Sequence, residues 1–251
     1  MPPPSSPRMQ RERARRERQF LSAARELLLE RGYLGLTMDR IAERTEYSKG
    51  TLYQHFANKE EIVVALGIEI AEVQRELFQR ATEFEGGTRE RLFAIGRAYR
   101  AWALGYPQDI AVTQIIKHRT LRDKVGPERV AALDACEQTC SDILSGVVRD
   151  GVAAGDVQLP AGLEPGHLAF GLWAMSWGSY TLTLMDFDLA KLEVADSFAL
   201  LDRHCHALLD GYGWRPLHSE HDWEAVARRV AAHLDAPADE CGKPSFTSDP
   251  A

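Results

Sequence analysis

Apolar residues recur at helical spacing from one end of the chain to the other. Phe20, Ala23, Ala24, Leu27 and Leu28 fall at i, i+3, i+4, i+7 and i+8, one stripe of a helix that ends where Gly32 offers a break. Thr37 stands before a short helix with Met38, Ile41 and Ala42 inward, and Ser48 before a second one over 49–56. Asn58 stands before a third, with Glu61 placed to reach back and complete a capping box. Three caps within 22 residues predict a compact array of short helices. Further on the periodic segments lengthen. They predict helices over 58–84, 88–105, 107–119, 126–154, 163–186 and 195–213, separated by Gly- and Pro-containing breaks such as Glu85-Gly-Gly-Thr88, Tyr106-Pro107 and Met185–Asp188. Residues 219–235 add an amphipathic helix with Trp223, Val226, Val230 and Leu234 on one side, and APADECGKPSFTSDPA reads as a disordered tail. No segment alternates with the period of a strand, so the expected fold is all-α.

The segment 163–186 is unlike the other helices. Gly171, Ala174, Gly178 and Thr181 form a seam of small residues. Phe170, Trp173, Trp177, Tyr180 and Leu184 lie one position before it, and Leu172, Met175, Ser179 and Leu182 one position after. Successive positions differ by about 100°, so apolar or small groups cover most of the circumference, the pattern of a helix buried on nearly all sides. The next helix offers Phe198, Leu201, Cys205, Leu208 and Tyr212 at seam spacing. Two such helices carry more apolar surface than one chain covers, which predicts a homodimer with a two-fold four-helix interface.

Composition narrows the class. The 251 residues are 45% hydrophobic and 27% charged, as expected for a globular chain. No apolar run approaches a membrane span, and the start, MPPPSSPRMQRERARRERQ, lacks the apolar core of a secretory signal. Four cysteines in this length do not make a disulfide framework, so a cytoplasmic protein is expected. Charge changes the picture more than composition does. The net charge is −7, yet residues 1–62 hold 12 Lys and Arg against 9 Asp and Glu, while the remainder holds 18 against 28. A basic end on an acidic body fits a protein that meets a polyanion at that end alone.

Residues 36–63, LTMDRIAERTEYSKGTLYQHFANKEEIV, can do so in detail. Two short helices joined by a tight turn suit a helix-turn-helix, the second helix entering the major groove of double-stranded DNA. Thr37 and Ser48 sit at helix starts, where free N–H groups receive phosphate. Lys49, Tyr53, His55 and Lys59 can donate to phosphate oxygens, which position without specifying. Gln54 can pair bidentately with adenine, the Thr51 methyl can meet a thymine methyl, and Gly50 lets backbone and DNA approach closely.

These residues resemble the TetR family of transcriptional regulators. The pattern runs Phe20, Ala23-Ala24, Leu28, Gly32-Tyr33, Thr37-Met38, Ile41-Ala42, Ser48 to Phe56, then Asn58-Lys59-Glu60, about the first quarter of the chain. The resemblance implies an N-terminal three-helix DNA-binding domain, a larger helical effector-binding and dimerisation domain, and ligand-controlled repression by a homodimer. Thr45-Glu46-Tyr47 departs from the Ala-Gly-Val often found at the turn. A left-handed Glu there costs about 1 kcal/mol relative to Gly, and Tyr47 can supply the inward plug.

The expected organisation is a basic disordered arm over 1–18, the DNA-binding domain over 19–64, the effector and dimerisation domain over 65–214, and a C-terminal helix and tail over 215–251. Tyr99, Trp102, His118, Trp173, Trp177 and Tyr180 are the candidates for lining a pocket for a small apolar or aromatic effector, with Met175 and Met185 as adaptable surface. No enzyme motif, cofactor site or tight metal-ligand pair is present. Cys136 and Cys140, or His204-Cys205-His206, leave open a thiol- or metal-sensing regulator, and an architectural DNA-binding protein without a ligand is the other alternative.

Overall fold

In the computed structural model of the protein, residues 6–184 and 188–236 are described. They form eleven α-helices and two short 3₁₀ turns, with no strand among them. No helix among these residues is long and apolar enough to cross a membrane. Met185 and the tail beyond residue 236 lie outside the described residues.

The chain divides into two compact units, one of residues 1–71 with 108–136 and the other of 72–107 with 137–251. The predicted boundary at 64/65 therefore gives way to an interleaved one, because residues 108–136 fold with the N-terminal helices.

In the first unit, α1 (Pro7–Gly35) begins well before Phe20. The expectation of an unstructured arm over 1–18 does not hold for residues 7–18. Ser6 caps the helix, accepting from Met9 N at 3.4 Å, and Pro7 occupies the first turn, where no N–H is needed. Arg13–Glu17, Arg15–Glu12 and Arg16–Glu12 pair at i,i+3 or i,i+4 spacing. Gly32 breaks the helix at φ 64°, as its position in the pattern predicts.

Next come α2 (Met38–Thr45) and α3 (Lys49–Tyr53), the latter only 5 residues long. Phe20, Ile41, Leu52 and Phe56 close the core between α1, α2 and α3. Asn58 starts α4 (Lys59–Thr82), accepting from Glu61 N at 2.9 Å. Glu61 does not reach back to complete a capping box; its carboxylate accepts from Gly126 N at 2.9 Å and from Arg129 at 3.1 Å. A free backbone N–H and a guanidinium outcompete the local contact. The unit also takes in most of α6 (Pro107–Ile116), α7 (Arg119–Arg122) and the start of α8 (Pro127–Ala154). Asp109 on α6 is buried and paired with Arg25 of α1. Burial pushes its carboxyl up, opposed by that guanidinium.

The second unit holds α5 (Thr88–Gly105), α9 (Pro165–Leu184), α10 (Ser197–Gly211), α11 (Trp223–Asp235) and the adjoining stretches of α4 and α8. α9 packs on α10, and α11 packs on α5 through Trp223, Val226 and Val230. That settles where the last amphipathic helix lies. The prediction that α9 is buried on nearly all sides fails in the single chain. Leu168, Ala169, Leu172 and Tyr180 are buried, whereas Phe170 is 63%, Trp173 41% and Leu182 45% exposed.

Candidate functional site

The first candidate surface is built by α2, the turn and α3. Thr37 Oγ1 accepts from Arg40 N at 3.3 Å and Ser48 Oγ from Thr51 N at 3.1 Å, so both predicted caps are made. Glu46 takes the left-handed conformation at φ 57°, and Tyr47 N reaches back to Ala42 O at 3.1 Å to close the turn. Tyr47 is the plug: its ring packs edge-on to Phe20 at 5.4 Å and its hydroxyl donates to Gln19 Oε1 at 3.1 Å. Leu52 is fully buried and anchors α3 from below.

That anchoring leaves the other side chains of α3 outward. Tyr53 is 52% exposed, and Lys49, Gly50 and Gln54 are exposed, with Thr51 half-buried. Lys49 Nζ lies 2.7 Å from Asp39. A Cβ at Gly50 would meet only Ser48 Oγ at 3.7 Å, so nothing inside the fold demands glycine there. Lys59 is half-buried, its Nζ 4.2 Å from the Tyr33 ring centroid and donating to Tyr33 O at 3.2 Å. His55 corrects the sequence reading. Its side chain is 5% exposed, packs edge-on to Phe20 at 5.4 Å, and places Nδ1 3.1 Å from Glu17 Oε1. Burial pushes the Glu17 carboxyl up, but hydrogen bonds from His55 and Arg13 outweigh it and hold it below the usual range. His55 is a packing residue that fastens α1 to the end of α3; α3 is too short to carry it outward.

The second site is a cavity of about 110 Å³ inside the second unit. Phe78 of α4, Leu92, Phe93, Ile95 and Tyr99 of α5, Leu144 of α8, Leu172 and Trp173 of α9, and Leu209 of α10 give it apolar walls. Arg89, Ser176, Asp202, Cys205 and His206 supply the polar ones. Arg89 is fully buried. It donates to Trp214 O at 2.5 Å, Pro216 O at 2.8 Å and His206 Nδ1 at 3.3 Å, and pairs with Asp210 at 2.7 Å. Burial drives His206 down to about 4, helped by neighbouring His218 and Arg89, so the imidazole is neutral at pH 7. Burial raises the Cys205 thiol to about 12, with Asp202 adding to the effect, which leaves it protonated and unreactive. Asp202 lies 3.5 Å from Arg97 and 3.4 Å from Arg100.

Of the six sequence candidates for the pocket, Tyr99 and Trp173 line the cavity. Trp102 is fully buried beside Tyr99, their ring centroids 5.3 Å apart, and Tyr180 sits behind Tyr99 at 4.9 Å. Both support a wall without forming it. Trp177 is half-buried against Trp173 at 5.8 Å. His118 is exposed at the start of α7 and is not among the lining residues, which rules it out as an anchor there. Arg89 and His206 are the polar residues the sequence reading missed. Each interrupts the apolar period of its helix, Arg89 three residues before Leu92 and His206 three before Leu209, and their setting depends on the return of residues 214–216. Cys136 and Cys140 are half-buried on α8. Among the described residues no three His, Cys, Asp or Glu side chains gather into a group able to hold a metal ion.

Two family matches cover most of this architecture. Residues 20–66 match the family described as "Bacterial regulatory proteins, tetR family", and residues 92–208 match "Tetracyclin repressor-like, C-terminal domain". The chain belongs to the TetR family. Among its relatives, the transcriptional regulator TcmR of Streptomyces glaucescens is 35% identical over 107 residues, 42% of this chain and 45% of that protein. The fatty acid metabolism regulator protein of Bacillus subtilis is 24% identical over 195 residues, 70% of this chain and 93% of that protein. The matches to the first three curated relatives span 23, 25 and 45% of those proteins' lengths. The TetR-family fold is shared with the crystal structure of the regulator FadR from Bacillus subtilis in complex with stearoyl-CoA. That structure has a TM-score of 0.61 and 20% identity, and the match covers 77% of this chain and 98% of that one. α11 lies outside both matched segments of this TetR-family chain.

Proposed function

We propose that the protein is a ligand-responsive repressor that binds a palindromic operator as a homodimer and is released by a small apolar or aromatic effector. The observation that carries this reading is the division of labour on α3. Leu52 and the Ser48 cap fix the helix, while Lys49 and Tyr53, with Gln54 just past its end, are left outward with no packing role. Thr37, Ser48, Lys49, Tyr53 and Lys59 contact phosphates, Gln54 reads adenine, and the Thr51 methyl meets a thymine. His55 drops out of the contact set for the reason given above. Gly50, which the fold itself does not require, keeps the approach to DNA open.

The exposed Phe170 and Leu182 support α9 as the dimer face, since large apolar side chains exposed on one helix suit an interface. Reading a palindrome with such a dimer requires two α3 helices one turn of DNA apart, ~34 Å. The cavity supports an effector smaller than the stearoyl-CoA of the Bacillus complex. A void of about 110 Å³ is nearer to the ~150 Å³ that takes one benzene ring. α4 belongs to the first unit up to residue 71 and to the second from 72, where Phe78 lines the cavity, so it is the element through which occupancy reaches DNA binding. That requires an effector preferring one of two arrangements.

Selection of bound duplexes from a random DNA pool by the full-length protein tests the reading. A palindrome with half-sites one helical turn apart is expected; an asymmetric motif, or no enrichment, would overturn it.

A further inference from the structure

Two residues that line the cavity carry a polar atom with no hydrogen-bond partner among the described residues. Among the described residues nothing hydrogen-bonds to the Tyr99 hydroxyl or to Nε2 of His206, and neither atom is sealed off as the buried Nε of Arg89 is. The protonation of His206 follows from its neighbour. A guanidinium only donates, so His206 Nδ1, 3.3 Å from Arg89 Nη2, is an acceptor and the ring's one proton sits on Nε2. His206 therefore offers a donor that cannot be exchanged for an acceptor without breaking the Arg89 contact.

The two charged lining residues are already engaged. Arg89 is paired with Asp210, and Asp202 with Arg97 and Arg100. Asp202, held by two guanidinium groups, leaves a cationic ligand no unpaired carboxylate, whereas the fixed N–H donor of His206 suits an oxygen acceptor.

We propose that His206 is the polar anchor of the effector and sets its class: an apolar ring or short chain bearing a carbonyl or carboxylate oxygen that accepts from Nε2. The Tyr99 hydroxyl is a second, adaptable contact able to donate or accept. The inference rests on the reading of this cavity as the effector site.

Calorimetric titration of the full-length protein at pH 7 with four single-ring probes tests it. Acetophenone and benzoate are expected to bind at least about tenfold more tightly than toluene, the worth of one hydrogen bond made in a dry site. Benzylamine is expected to bind no better than toluene. His206→Phe should erase the advantage of acetophenone while toluene binding persists. Equal binding of toluene and acetophenone by the unaltered protein overturns the proposal, as does tightest binding of benzylamine, which would assign the anchor to Asp202. Binding of none of the four would remove the effector cavity itself and the anchor with it.

Discussion

The reading surface and the cavity are made in opposite ways. The surface comes from one continuous stretch, residues 37–59, whose caps and turn are local and whose buried anchors pack on the preceding helix α1. The cavity gathers its walls from five helices, spread from Phe78 to Leu209. A surface coded locally can tolerate changes elsewhere in the chain, whereas a cavity assembled over such sequence distances depends on a few long-range ties. Arg89 is chief among these, since it joins α5 to the carbonyls of Trp214 and Pro216 and to His206 and Asp210 of α10.

Arg89→Leu should therefore have the largest effect. It leaves two backbone carbonyls without their donor, a loss of about 1–3 kcal/mol each, read as a lowered midpoint in urea, while Asp210, a third exposed, keeps its bond from His218 N. Little change would mean that the cavity does not hang on this residue and would erase the contrast. The second test uses pH. His206 is held down to about 4 in the fold, from an ordinary 6.5, so between those values the unfolded chain binds the extra proton. Its contribution is complete above about pH 6.5 and is lost as pH falls toward 4, roughly 3 kcal/mol in all. The stability difference between the native protein and His206→Phe should shift in that direction between pH 7 and 5; a difference independent of pH would contradict the buried neutral imidazole.

The same contrast explains what the sequence disclosed. Thr37, Ser48 and Asn58 announce their helices because a cap is chosen by the next three residues, and the left-handed turn at Glu46 with Tyr47 as plug follows from the same short stretch. The Glu61 capping box was misread because Gly126 and Arg129, more than 60 residues on, compete for the carboxylate. His55 was misread because Glu17 lies on a helical extension that composition alone marks as a loose arm. In the cavity, aromatic content pointed to the right helices, α5 and α9, yet to only two of the lining residues, Tyr99 and Trp173. Arg89 and His206 escaped notice because charged and imidazole side chains interrupt an apolar period without showing what they meet. The bare flank of α9 shows the limit of periodicity: it reports that a face is apolar and not whether the covering surface lies in the same chain.

Smaller effects sharpen the picture at the reading surface. Gln54→Ala should relax the preference for adenine at one position of each half-site, by ~1–3 kcal/mol, measured as loss of discrimination against substituted operators. A uniform fall in affinity across sequences would instead make Gln54 a positioning contact. Glu46→Gly should stabilise the protein by about 1 kcal/mol, the strain of a left-handed non-glycine residue, and tighten the complex slightly. Weaker DNA binding would mean that the glutamate takes part in recognition.

The most direct measurement is a fluorescence-anisotropy titration of the selected operator against the same duplex with one half-site scrambled. Two chains per duplex are expected, with at least ~100-fold weaker binding to the scrambled duplex, because several mismatches at ~1–3 kcal/mol each accumulate in one half-site. Equal binding to the two duplexes, or one chain per operator, would contradict paired, sequence-specific reading by α3.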